Sequence, residues 1–154
     1  MSTDALGMPA SFEVFHHWYG EQAPGLLRLG KWLGTGGLEV GLDSGGIEVE
    51  TLDSPLAQSA RRLESLPGIR VHHVSSIRIG GHPGRRYSLS SNHLVELHPG
   101  DNLGTGENDV ILLGVGHGTL VIKNMDAVVP EAFPDHDQER REAERVIQSF
   151  QFRS

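Results

Sequence analysis

The chain has 154 residues, with 20 acidic side chains against 13 Lys and Arg, a net charge of −7, nine histidines and no cysteine. That length suits a single domain with a core of its own, needing no disulfide or metal to fold. The lack of cysteine excludes thiol catalysis, disulfides and every Cys-based zinc or iron–sulfur site, and an acidic balance without a basic stripe argues against nucleic acid and anionic membrane surfaces as partners.

No apolar run approaches the roughly 20 residues of a membrane span, so membrane insertion is not expected. The N-terminus shows neither a basic n-region nor an apolar h-region. As written, the chain is expected in the cytoplasm; a native leader upstream would make it extracytoplasmic. The 20 glycines exceed the usual share of about 7% and predict many tight turns.

Residues 1–11 read as a flexible arm, and 12–154 as one α+β domain. Phe12–Tyr19 mixes aromatic and polar positions and leans towards strand; Gly20–Gly25 reads as a turn and Leu26–Leu33 as an apolar stretch of open type. Gly34–Gly37 breaks the chain. Leu38–Leu42 and Ile47–Leu52 alternate around Asp43–Gly46, the pattern of a β-hairpin with one buried face. In that pattern Glu48 and Glu50 fall on the solvated side.

Ser54 suits a helix N-cap and Pro55 the first helical position. Leu56, Ala60, Leu63 and Leu66 then share one helical face, and Pro67-Gly68 ends it. Ile69–Ile79 is a long Val- and Ile-rich strand, Gly80-Gly81 a hairpin dipeptide, and Arg86–Ser90 its return strand. His93–His98 forms a further strand, Pro99–Asn108 a loop, and Val110–Val115 with Thr119–Lys123 a hairpin around Gly116-His117-Gly118. Met125–Pro134 is irregular. Asp135 can cap a last helix to about Ser149, with Ala143, Val146, Ile147 and Phe150 as its apolar stripe, before a short terminal strand.

Three segments carry a resemblance. Leu63-Glu-Ser-Leu-Pro-Gly68 closes a short helix, Ser75-Ser-Ile-Arg-Ile-Gly-Gly-His-Pro-Gly-Arg-Arg-Tyr87 forms a strand, a Gly-Gly turn and a strand start, and Ile147-Gln-Ser-Phe-Gln-Phe152 ends the chain. Together, and in this order, they resemble PsbP-like domains over about residues 47–152. The family includes many secreted or lipid-anchored proteins. The resemblance implies an antiparallel sheet flanked by helices, a C-terminal helix and a short terminal strand, in a fold used mostly for binding. It brings no catalytic set, so the expectation is a non-enzymatic module recognising a protein or small ligand through a sheet face and hairpin loops.

Among single residues, Arg78, Arg85 and Arg86 form a basic spot around the Gly-Gly turn, apt for a carboxylate or phosphate. Trp18, Tyr19 and Trp32 are aromatic candidates for a ligand surface, or else for the core. The alternative function is a small metal-dependent or hydrolytic enzyme using His82, His93 or His117 with nearby acids. Zinc would be its metal, although no H-x-H, H-E-x-x-H or helical i,i+4 pair of histidines occurs. The oxygen-rich Asp101–Asp109 segment could hold calcium, but it lacks the spacing of an EF-hand and reads better as a solvated hairpin loop in which Gly, Asn and Asp supply the turn geometry. Gly34–Gly37 and Gly104–Gly106 read as turns rather than phosphate loops. No G-x-S-x-G elbow is present. Edge-strand pairing into a homo-oligomer is a third reading.

Overall fold

A seven-stranded antiparallel sheet organises the chain. The computed structural model describes residues 1–31, 46–98, 101–124 and 136–153. Its elements are β1 (Ser2–Thr3), β2 (Ala10–Ser11), β3 (Trp18–Ala23), β4 (Leu26–Lys31), β5 (Ile47–Leu52), α1 (Leu56–Ser65), β6 (Ile69–Ile79), β7 (His82–Ser91), β8 (Val95–His98), β9 (Asp101–Leu103), β10 (Gly106–Val115), β11 (Gly118–Asn124), α2 (His136–Gln148) and β12 (Gln151–Phe152). The main sheet runs β3-β4-β5-β11-β10-β7-β6, with a small β1-β2-β12 sheet and a β8-β9 ribbon beside it. The fold class is therefore α+β with antiparallel sheets, as the sequence implies.

Both faces of the sheet are covered. Ile111, Leu113, Leu120 and Ile122 join Ala143, Val146, Ile147 and Phe150 of α2 on one face. Val110, Leu112 and Val121 join Ala60 and Leu63 of α1, with Leu97 and Leu103 of the ribbon, on the other. β10 and β11 lie in the middle of the sheet, which is why their sequences are continuous apolar runs instead of alternating ones. Each fully buried Leu, Ile or Val contributes about 1.5–3 kcal/mol, so the two layers together anchor the fold.

Several elements depart from the sequence reading. Residues 1–11 are not loose: Leu6 and Ala10 are buried in the α2-side core, and β2 bridges β1 and β12. Strand β3 begins only at Trp18 and runs through Gly20 to Ala23, leaving Pro24-Gly25 as the turn. Gly20 serves close approach here, because a Cβ at that position would lie 3.3 Å from the Leu29 side chain. Ser54 does not cap α1 with its side chain. Instead the Pro55 carbonyl accepts the amides of Gln58 and Ser59, and the Ser54 carbonyl accepts the Thr119 hydroxyl at 2.7 Å. The expected 99–108 loop contains β9 and the start of β10. Gly80 and Gly81 both take positive φ, 55° and 83°, as a two-residue hairpin turn requires. Trp32, the 34–37 break, the 38–42 strand, the 43–45 part of its turn, Pro99-Gly100, the 125–134 stretch and the Asp135 cap lie outside the described residues. Among the described residues no helix is long and apolar enough to cross a membrane.

Candidate functional site

Three connections gather at one end of the sheet: the β3–β4 turn, the segment from β5 into α1, and the β10–β11 turn. Packing the N-terminal arm across the first two leaves a cleft of about 750 Å³, lined by Ser2–Ala5, Gly7, Gln22–Gly25 and Thr51. A second hollow of about 270 Å³ adjoins it between Leu6–Met8, Thr51–Asp53 and Val115–Leu120. Gly7 and Thr51 line both, so the two are neighbours separated by these residues.

Its walls are held by short polar contacts. Gly25 donates its N–H to the Ala5 carbonyl at 2.6 Å, and Thr51 donates to the Gly25 carbonyl at 3.1 Å. The buried Thr3 hydroxyl donates to Gln22 Oε1 at 2.5 Å and accepts the Ala5 amide at 3.0 Å. Gly25 is required at its place, with φ of 77° and only 3.0 Å between a would-be Cβ and Thr51 Oγ1. The two linings thus offer hydroxyls, an amide, backbone groups and two acids, Asp4 and Asp53, with His117 at the far rim.

The three arginines singled out in the sequence do not converge. Arg85 and Arg86 are neighbours on β7 and point to opposite faces. Arg85 meets Glu64 of α1 at 3.4 Å on one side. On the other side Arg86 grips two carboxylates at once: Nε and Nη2 donate to Asp109 at 3.0 and 2.6 Å, and Nη1 and Nη2 donate to Glu144 at 2.8 Å each. Arg86 therefore ties α2 to the sheet. Arg78 shares the α1 side with Arg85, and its guanidinium donates to the Gly81 carbonyl at 2.6 Å.

The aromatic candidates separate as well. Trp18 is buried, and its Nε1 donates to Glu142 Oε2 at 3.0 Å, whereas Tyr19 is 48% exposed. The three candidate histidines are divided between the two ends of the sheet. His82 sits edge-on to Phe152 at the turn end, and His117 lies on the neighbouring turn. His93 is at the opposite end with its ring against Gly68. His82, His93 and His117 therefore form no joint site, and no group of three or more His, Asp or Glu among the described residues is placed to hold a metal ion. In the Asp101–Asp109 segment, Asn108 donates to the Gly104 and Gly106 carbonyls and Asp109 is taken by Arg86.

Two buried charge groups escape a reading by pattern. Glu48, expected on a solvated face, is 5% exposed and pairs with Lys123 of β11 and with Arg28 Nε of β4 at 2.8 Å. Burial pushes its carboxyl up, but Lys123 and Arg28 outweigh this and hold it below the ordinary range. Glu142 is likewise buried on α2. Burial raises it, while hydrogen bonds from Gln138, His17 and Trp18 win and lower it. The only sequence signal for the Glu48 pair is a lysine inside an apolar strand, since long-range partners leave no spacing.

The fold defines this chain as an α+β module built on an antiparallel sheet with helices on both faces. No protein-family model matches the chain, and no curated protein does. Among solved structures, a Bacteroides thetaiotaomicron VPI-5482 protein is similar at 14% identity and a TM-score of 0.50. That likeness covers 94% of this chain but 45% of the other, so the chain spans under half of that protein's length. The cyanobacterial PsbP, CyanoP, from Synechocystis sp. PCC 6803 is similar at 9% identity and a TM-score of 0.49, over 94% of this chain and 86% of that one. A Pseudomonas aeruginosa protein of unknown function, PA94, is similar at 17% identity and a TM-score of 0.43, over 88% and 94%. At such identities the Bacteroides likeness is one of fold alone.

Proposed function

We propose that this chain is a non-enzymatic, PsbP-like binding module that takes a short peptide or a small polar ligand in the cleft at the turn end of its sheet. The observation that carries this reading is the cleft itself. Its volume falls in the range of about 300–1,000 Å³ typical of ligand sites. Its walls are a hairpin turn and the N-terminal arm, connecting segments held on a rigid sheet, where binding residues commonly lie. Backbone groups, hydroxyls and two acids, one in the cleft and one in the hollow beside it, favour an uncharged or cationic ligand rich in hydrogen-bond donors. Helix α1 followed by Leu66-Pro67-Gly68, the Gly80-Gly81 turn and the terminal β12 keep the order expected of PsbP-like domains.

Amide chemical-shift mapping against a panel of short peptides and neutral oligosaccharides tests the reading. A binder should move Thr3, Gly7, Gln22, Gly25 and Thr51 together, and Ala23→Trp, which fills the cleft from an exposed position, should abolish the shifts. Shifts confined to another surface, or unaffected by Ala23→Trp, would sink it.

A further inference from the structure

We propose that the outer edge of β6 takes up an extended, acidic segment of a partner protein as an added antiparallel strand of the sheet. Among the described residues, β6 is the last strand in the sheet order and pairs with β7 alone. It is 11 residues long, about twice the usual strand. His72, His73, Val74, Ser76 and Arg78 are exposed, so none of the described residues covers this stretch. Alternate residues of such an edge turn N–H and C=O groups outward, a template for another strand. A bulge between Val71 and His73 distorts the first part of the strand, but from His73 to Ile79 the ladder with β7 is regular.

Side-chain chemistry selects the partner. No acid stands on β6, whose sequence is Ile-Arg-Val-His-His-Val-Ser-Ser-Ile-Arg-Ile, although the chain carries −7. On the α1 side the edge presents Val74, 42% exposed, and Arg78, with Arg85 on β7 opposite Ser76. On the α2 side it presents His73 and, beyond the bulge, Arg70. Directly opposed pairs govern strand pairing, so the matching strand places an apolar residue at Val74 and carboxylates at Arg78 and Arg70. Glu64 already answers Arg85 at 3.4 Å and Glu107 lies 3.7 Å from His72, so the attraction is assigned to Arg70 and Arg78, and acids farther off are screened beyond about 8 Å at physiological ionic strength. A second copy fits poorly. Its own β6 carries no acid to oppose Arg70 or Arg78 and would bring further basic side chains to the same seam.

The test uses a fluorescein-labelled extended peptide with valine placed to oppose Val74, glutamates placed to oppose Arg78 and Arg70, and threonine elsewhere, read by anisotropy, with amide hydrogen exchange on the unlabelled complex. The wild-type chain should bind it saturably and slow exchange across residues 73–79. Affinity should fall about tenfold or more in Arg70→Glu/Arg78→Glu, where attraction becomes repulsion at two places, and the lysine counterpart peptide should then bind the variant better than the wild type. Arg70→Gln/Arg78→Gln, which adds no repulsion, should show an intermediate loss and covers the case in which the glutamate variant does not fold. Absence of saturable binding, equal affinity in the glutamine variant, or exchange protection at the turn-end cleft instead of β6 would overturn the proposal. So would sedimentation showing the edge already occupied by a second copy.

Discussion

Replacing Lys123 with methionine keeps side-chain length while removing the charge that faces Glu48. Both side chains are nearly buried, with 8% and 7% exposure, and removing one partner of a buried pair costs about 3–5 kcal/mol. Arg28 remains, with Nε 2.8 Å from Glu48, and it keeps the carboxylate partly compensated. The expected loss is therefore at the lower end, about 3 kcal/mol, or about 6–12 °C in Tm for a domain of this size. The double variant Glu48→Gln/Lys123→Met leaves no buried charge there and should lose clearly less than the two single changes added together. The pH dependence follows from Glu48. Because its carboxyl is held below the ordinary value, its stabilisation is full above about pH 4.3. It is then lost as pH falls through the lowered folded-state value. The gap in Tm between wild type and Glu48→Gln should thus be constant near neutrality and close below about pH 4.3. Thermal melts by circular dichroism across pH measure all of this. A Lys123→Met loss under about 2 °C, or a double variant as unstable as the sum of the singles, would refute the reasoning.

Arg86→Lys should destabilise by about 1.5–3 kcal/mol in urea denaturation, because an ammonium cannot make the paired contacts to Asp109 and Glu144 that the guanidinium makes. Gly84→Ala places a Cβ 2.6 Å from the Leu112 carbonyl oxygen, backbone against backbone between β7 and β10, so a loss of about 1–3 kcal/mol is expected. Unchanged stability would mean that the two strands can part at that point. Glu142→Gln should weaken the hold of Trp18 and His17 on α2 by about 1–3 kcal/mol. A red shift in tryptophan emission as Trp18 loosens is its spectroscopic mark.

Much of the fold can be read in the chain. The apolar faces of α1 and α2, the Gly80-Gly81 turn, the long β6 and the β10–β11 hairpin all follow from local residue chemistry. The candidate site was far less legible. Its cleft is made of turns and an arm whose sequence is only polar and glycine-rich, and nothing in Ser2–Gly7 announces that Leu6 anchors it in the core. Arg86 shows the same limit from the other side: the sequence places it in a basic spot beside Arg85, but strand geometry turns it under α2.

What the sequence by itself determined is what depends on neighbours along the chain, namely periodicity, turns, charge and the absence of cysteine. What only the tertiary structure decided is what depends on partners far away in sequence. Ile47-Glu-Val-Glu alternates in a way that predicts a solvated acidic face, but placing β5 between β4 and β11 brings Arg28 and Lys123 to Glu48 and buries it. Alternation along a strand separates its two faces, and the rest of the fold decides what lies over each of them.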